Sequence, residues 1–335
     1  MAATIDDVAK KAAVSTATVS RALRGLPNVA PATRDHILKI AKELHYVVSP
    51  RASRVNTGHK LVAVLTPLVD QWFYSKITTA IVMKLLEAGY EAVRIGVDGV
   101  RAQTEQIKRT LHQGLVDAVI VVSYPLEGEA IKHLQMHQIP CVTVESHSEV
   151  FPSIEIDNTA AAELAMRHLI NLGHRRIGFI TPMETFEGEV VSTSRLKGYR
   201  LALEKAGIAY DEVLELSGND VYEGGVEAMK RLYSLEKPPT AVFAASDEMA
   251  VGALKTLRDL NVKVPEHVSV IGFDDNDLAH YIGLTTIRQP VTLFGELAAE
   301  HLIDCFEGLK ESCREHTILP FEIVLRNTTG RVFAD

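Results

Sequence analysis

Long apolar runs are missing from this sequence: no stretch approaches eighteen uninterrupted apolar residues, so no membrane-spanning helix is expected. Cysteine is scarce. The three present, Cys141, Cys305 and Cys313, show no C-x-x-C spacing and read as buried or idle thiols, not a disulfide framework. Neither G-x-G-x-x-G nor G-x-x-x-x-G-K-[ST] occurs, so no dinucleotide or P-loop site is suggested and no cofactor is expected. There is no G-x-S-x-G elbow either, nor a nucleophile with its base nearby, and the chain does not read as an enzyme. His133 and His137 sit four apart on a predicted helix, but no Glu follows His133; they read as a solvated face, and no metal site is expected. The start M-A-A-T-I-D-D lacks a basic segment followed by an apolar one. A signal peptide is therefore not expected, and the protein is expected to be cytoplasmic.

With 335 residues the chain fits two or three domains, and a hydrophobic fraction of 47% supports their cores. The formal charge of −8 argues against a nucleic-acid partner until it is divided along the chain. Residues 1–60 hold ten Lys/Arg against four Asp/Glu, a net of +6, which leaves −14 on the remainder. A small basic module on a large acidic body is the charge layout of a DNA reader with a separate sensing domain.

Within that module, Thr4 to Leu23 reads as two short helices. Ile5, Val8, Ala9 and Ala12 recur at helical spacing behind a Thr4 N-cap. After a break at Ala13-Val14, Ser15 caps a second helix whose buried side is Val19, Ala22 and Leu23 and whose open side is Thr16, Ala17, Ser20 and Arg21. So tight a pair is a helix-turn-helix, or else an amphipathic pair capping a domain. Only Arg21 offers a long fork, able to donate two hydrogen bonds to guanine O6 and N7. A third helix from Pro31, with Ile37, Ile40, Ala41 and Leu44 inward, closes a small core. Tyr46 to Gly58 reads as a linker.

From Leu61 onward, strand-length apolar runs alternate with helical stretches. Strands are expected at 61–66, 92–96, 119–123, 141–145, 177–181, 241–244 and 268–273. Helices are expected at 75–87, 101–112, 128–135, 160–171, 196–206, 223–234 and 248–257. This is the α/β pattern of βαβ units, with enough strands for two parallel sheets. Polar residues at the strand ends, namely Thr66, Ser123, Glu145, Thr181, Ser246-Asp247 and Asp274-Asp275, describe a polar cleft where such sheets bind ligands. His168 and His174 flank a helix end and read as caps or dipole partners.

Several segments in order, V-A-K-K-A-A-V-S-T-A-T-V-S-R-A-L, P-A-T-R (31–34), H-L-I-N-L-G-H-R-R-I-G-F-I (168–180), R-L-K-G-Y (195–199), S-D-E-M-A-V-G-A-L (246–254), V-S-V-I-G-F-D-D (268–275) and L-T-T-I-R-Q-P (284–290), resemble the lactose/galactose repressor (LacI/GalR) family over nearly the whole chain. The resemblance implies a helix-turn-helix headpiece at 1–47, a hinge helix at 48–59 and a two-lobed core at 60–335 similar to periplasmic sugar-binding proteins. Lobe 1 would span about 60–159 and 291–318, lobe 2 about 160–290 and 319–335. It also implies a homodimeric repressor that binds a pseudo-palindromic operator and answers to a small sugar-like effector. A solute-binding protein without a regulatory role is the alternative, against which the basic headpiece and the missing export signal both speak.

Residue by residue, the resemblance places Thr16, Ala17 and Arg21 against bases, and Ser15, Thr18, Ser20 and Asn28 against phosphates; Thr4 joins them as a DNA-binding candidate. In the hinge, Ala52 faces its dimer mate, and Val55 stands where the family inserts a Leu into the minor groove. Ala13 replaces the usual Gly of the turn, a mild change unless position 13 requires a positive φ. Effector contacts would come from Phe73, Glu145, Arg195, Asp220, Tyr222, Ser246, Asp274 and Gln289. For Arg195 the competing role is an interlobe salt bridge, and for Glu145 a helix-dipole or solvent role. No leucine heptads follow Gly330-Arg331-Val332-Phe333, so a dimer is expected, not a coiled-coil tetramer.

Overall fold

The computed structural model describes residues 5–23, 29–44, 60–112, 115–182, 190–309 and 315–332. Thr4, Asn28, Ala52, Val55, the whole expected hinge and Cys313 lie outside them.

Three helices open the chain: α1 (Ile5–Lys11), α2 (Thr16–Leu23) and α3 (Pro31–Glu43). Their inward faces are short side chains (Ala9, Ala12, Ala22, Ala41) around Val8, Val19, Ile37 and Ile40, which lets three short helices close on one another. The Lys11 ammonium reaches the Glu43 carboxylate at 3.0 Å and ties α1 to α3. Ser15 caps α2 as expected, its Oγ accepting from the Thr18 N–H at 3.2 Å.

Two six-stranded sheets follow. The first contains β1 (Leu61–Pro67), β2 (Glu91–Val97), β3 (Ala118–Val122), β4 (Cys141–Val144), β5 (Ser153–Glu155) and, from far along the chain, β11 (His316–Ile318). Its order is β11-β5-β4-β3-β1-β2, parallel throughout. The second contains β6 (Ile177–Thr181), β7 (Glu215–Ser217), β8 (Ala241–Ala244), β9 (Ser269–Asp274), β10 (Thr285–Arg288) and β12 (Glu322–Val324), in the order β12-β10-β9-β8-β6-β7. One pair, β10 with β12, is antiparallel, a departure from the all-parallel expectation. Central strands such as β3, Ala-Val-Ile-Val-Val, are buried at every residue, as a sheet covered on both faces requires. Each such Val or Ile contributes roughly 1.5–3 kcal/mol of burial.

The covering helices are α4 (Trp72–Glu87), α5 (Gly99–His112), α6 (Gly128–Met136) and α12 (Val291–Phe306) for the first sheet. For the second they are α7 (Asn158–Asn171), α8 (Val190–Lys205), α9 (Tyr222–Tyr233), α10 (Asp247–Asp259) and α11 (Asp277–Tyr281). Helix α12 packs on α4, although some 200 residues separate them along the chain. Gly225 and Gly252 let α9 and α10 touch backbone to backbone; a Cβ at either would strike the other helix. The chain passes between sheets three times, at residues 156–157, 289–290 and 319–321.

The expected strands and helices of the core are present, some to the residue and the others with ends moved by up to six residues. Strands β5, β7, β11 and β12 are three residues long and carry no periodic signal, and β10, α11 and α12 were not delimited by the pattern. His168 does lie in the last turn of α7. His174, however, is not a cap. It is buried, with Nδ1 2.9 Å from the Thr240 hydroxyl and Nε2 3.0 Å from the Ser269 hydroxyl and from the Gly330 carbonyl, and so fastens the C-terminal segment to the second sheet. Cys141 is buried, which pushes its thiol up, and Cys305 is half-buried; neither is in a disulfide. No described helix is long and apolar enough to cross a membrane.

Candidate functional site

On α2 the burial pattern separates two faces. Val19 and Ala22 enter the headpiece core, while Thr16, Ala17 and Arg21 are exposed and Thr18 and Ser20 half-buried. The Ser15 and Thr18 hydroxyls are 2.9 Å apart, so the phosphate candidates at the start of α2 form one polar tip. Ala13, in the turn before it, has φ of +53°. The family's glycine is therefore replaced at a position that does adopt the left-handed region, where an L side chain is strained.

The second site lies between the lobes. Gln71, Trp72, Phe73, Tyr74, Ser123, Glu145, Pro182, Arg195, Asp220, Ser246, Glu248, Asp274 and Asn276 line a cavity of about 40 Å³. Six of the eight expected effector residues are therefore brought together. Strand-end residues Ser123, Glu145 and Asp274, with Asp220 from the turn before α9, have φ values of 67°, 53°, 117° and 53°. Such left-handed backbone at non-glycine residues accumulates where a site demands it.

Arg195 is the centre of the floor. Its guanidinium lies flat on Phe273, 3.6 Å from the ring centroid, and donates from Nε to Asn158 Oδ1 at 2.9 Å and from Nη1 to the Ala245 carbonyl at 2.6 Å. Asp274 Oδ1 stands 4.0 Å from Nη1, too far for a direct hydrogen bond and within bridging distance of a hydroxyl or water. Among the described residues the carboxylate within 4.0 Å of Arg195 is Asp274, at the end of β9, the sheet that α8 covers, so this contact is not the interlobe salt bridge considered above. Burial pushes the Asp274 carboxyl up to about 7, against the pull of Arg195 and of the Gln289 amide, which donates to Oδ1 at 2.6 Å.

Glu145 is 1% exposed, which rules out a solvent role. Oε1 accepts from the Ile156 N–H at 3.0 Å and Oε2 from Asn158 Nδ2 at 2.9 Å, so this carboxylate holds the first interlobe crossing while facing the cleft. Burial raises its pKa, and Asn158, Arg195 and the Ile156 N–H oppose that rise. Ser246 lines the cleft and also caps α10, accepting from the Met249 N–H at 3.3 Å.

Two expected contacts are misplaced. Tyr222 opens α9, is 39% exposed and does not line the cavity. Gln289 does not line it either; it orients Asp274 from behind. Of the strand-end residues, Thr66 and Thr181 lie outside the cavity, their hydroxyls donating to the following prolines' carbonyls. Asp247 is buried beneath it, accepting from the Thr286 hydroxyl at 2.6 Å and the Asn276 N–H at 2.7 Å. Asp275 is held by Arg288 and Arg326 at 2.7 and 2.6 Å. These two acids support the loop without reaching a ligand.

Sequence reasoning missed the latch across the cleft mouth. The Trp72 N–H donates to Glu248 Oε1 at 3.1 Å, its indole Nε1–H to Asp277 Oδ2 at 3.0 Å, and Gln71 Nε2 to the Asp220 carbonyl at 2.9 Å. All three join the start of α4, which covers the first sheet, to elements of the second: the first turns of α10 and α11 and the turn before α9. Burial raises the Glu248 pKa, with the Trp72 N–H opposing. The one available signal was composition, since Trp72 is the chain's single tryptophan.

Comparison with known proteins agrees with this arrangement. Residues 4–49 match the model of the bacterial regulatory proteins of the lacI family, and residues 166–329 match the periplasmic binding protein-like domain. The HTH-type transcriptional repressor CytR of Escherichia coli (strain K12) is 34% identical, over 98% of this chain and 96% of its own. Among solved structures, a complex of the transcriptional regulator CelR with cellobiose superposes with a TM-score of 0.70 at 31% identity, covering 97% of this chain and 99% of that one. The Lac repressor dimer bound to operator and the anti-inducer ONPF superposes with a TM-score of 0.72 at 26% identity, covering 98% and 100%. A headpiece with an exposed arginine-bearing helix, a two-sheet core closed over a polar cleft and these full-length likenesses lead to one statement: the chain belongs to the LacI family of bacterial transcriptional regulators.

Proposed function

We propose that this chain is a repressor that grips a pseudo-palindromic operator as a homodimer, one headpiece per half-site, and that a small polyhydroxylated molecule in the interlobe cleft sets its grip. The observation that carries the effector reading is the 4.0 Å gap between Arg195 and Asp274 on a buried floor beside Phe73. A guanidinium donates and a carboxylate accepts, so vicinal hydroxyls satisfy both, while an aromatic face covers the C–H side of a sugar ring. Glu145 and Ser246 add a carboxylate acceptor and a hydroxyl to the same buried floor. Gln289 acts through Asp274. In the headpiece, Arg21 reads a base with Thr16 and Ala17 beside it, and Ser15, Thr18 and Ser20 hold phosphates.

A 40 Å³ cavity is far below the roughly 300–1,000 Å³ of ordinary ligand sites, so the cleft is closed and the ligand enters by parting the lobes. The lobes are the two sheets with their helices, dividing near 159, 290 and 318, and the three crossings are the hinge. Effector binding then regulates by preferring one degree of closure, with a coupling on the order of 1–3 kcal/mol. A thermal-shift screen against sugars, sugar phosphates and nucleosides tests the cleft: a ligand at 100 times its Kd raises stability by about 2.7 kcal/mol. Arg195→Lys keeps the charge, loses the fork, and is expected to abolish that shift. An unchanged shift in this variant overturns the assignment. Equal affinity for one half-site and for the palindrome in a gel-shift series overturns the dimeric grip.

A further inference from the structure

On the edge of the first sheet, away from the cleft floor, three side chains from separate parts of the chain converge. His147 comes from the loop after β4, Glu155 ends β5, and His316 opens β11, opposite Ser153 in the β5–β11 register. One ligand atom from each lies within 4.8 Å of the other two. His316 Nε2 is 3.4 Å and His147 Nδ1 3.9 Å from the same Glu155 Oε1, and the imidazole rings stand perpendicular with centroids 4.6 Å apart. Ligand atoms bound at about 2.0–2.2 Å around a tetrahedral ion are themselves about 3.3–3.6 Å apart. The two distances to Glu155 Oε1 match or come within about half an ångström of that spacing, and no two of the three ligand atoms are more than 4.8 Å apart.

The remaining ring nitrogens are also provided for. His147 Nε2 lies 3.1 Å from Glu149 Oε1, and His316 Nδ1 lies 2.7 Å from the Ser153 hydroxyl. A carboxylate or hydroxyl on the far nitrogen fixes the ring and its tautomer, the arrangement that accompanies metal-bound histidine. From these contacts we infer that His147, Glu155 and His316 form a divalent-metal site suited to Zn²⁺, with water in the fourth position. The water has room because the two histidine side chains are 47% and 35% exposed. Two imidazoles disfavour Mg²⁺ and Ca²⁺, which take oxygen ligands.

The location gives the ion something to do. Glu155 leads directly into the first interlobe crossing, β11 leads into the third, and His147 follows Glu145 by two residues. A bound ion joins the roots of two crossings to the loop that carries a cleft carboxylate. None of this depends on the identity of the effector.

The test is a titration of the full-length, tag-free, metal-stripped protein with Zn²⁺ against a chromophoric chelator, with circular dichroism confirming the fold of each variant. One ion per chain is expected. His147→Gln and His316→Ala should each weaken binding at least 10-fold, and Glu149→Gln about 10-fold through the outer contact. His133→Ala with His137→Ala should leave the titration unchanged. His147 lies in an exposed loop, so its variant remains informative should His316→Ala fail to fold. No saturable binding, or equally tight binding in His147→Gln, overturns the site.

Discussion

Replacing Ala13 by glycine should stabilise the headpiece. Ala13 is exposed, so its methyl group contributes no packing, yet it holds φ at +53° in the turn between α1 and α2. Left-handed backbone costs an L residue roughly 1–2 kcal/mol. Glycine removes that strain but gives back about 0.4–1 kcal/mol by loosening the unfolded chain. The difference is a net gain of about 0.5–1 kcal/mol, or roughly a two- to fivefold slowing of exchange through headpiece opening. Native-state hydrogen exchange on the intact protein reads it directly at the Val19 and Ile37 amides, whose side chains are fully buried in the headpiece core. Core amides such as Ile120 serve as an internal reference and should not change. Exchange at Val19 and Ile37 that is unaltered or faster in Ala13→Gly would refute the reasoning, since the turn would then carry no strain.

Arg21→Ala should cost about 1–3 kcal/mol of discrimination between a selected operator and a scrambled duplex, with little loss on the scrambled one; competition gel shifts report the ratio. Asp274 carries an extra proton in the folded state between its ordinary 3.8 and about 7, so folding stability falls as pH rises through that window. Denaturant melts from pH 4 to 8 should show that slope in the parent and a flatter one in Asp274→Asn. Asp277→Ala removes the acceptor of the Trp72 indole and the partner of Lys76. Emission from the single tryptophan should shift to the red and small-angle scattering should show a larger radius; unchanged curves would mean that the latch does not hold the lobes together.

Legibility in the sequence followed the length of each signal. Strands such as Ile177–Thr181 and Ala241–Ala244 were readable to the residue because each lies in a short apolar run bounded by polar residues, Thr181 closing the first and Thr240 and Ser246 flanking the second. Strands β5, β7, β11 and β12 were not, because three residues carry no period and owe their pairing to neighbours distant in the chain. The cleft split in the same way. Polar strand ends located its floor, but the pattern could not tell Ser246, which faces the cavity, from Asp247 beside it, which turns beneath. Arg195 was selected only through the family likeness. Trp72 and Asp277 are 205 positions apart, and no local spacing announces a hydrogen bond between them. His147, Glu155 and His316 stayed invisible for the same reason, and Tyr222 was misassigned because a helix start next to the cleft does not specify which way its first side chain turns.

The threefold passage between sheets bears on how the molecule is made. Strand β11, at the edge of the first sheet, and α12, which covers α4, are both translated after almost the entire second sheet. While the ribosome is still short of residue 291, the α4 surface and the β5 edge are bare, an invitation to non-native pairing in a nascent chain. The two halves therefore mature together near the end of synthesis. Early termination anywhere before residue 318 leaves the first sheet without its outer strand, and such products are natural clients for chaperones and proteases.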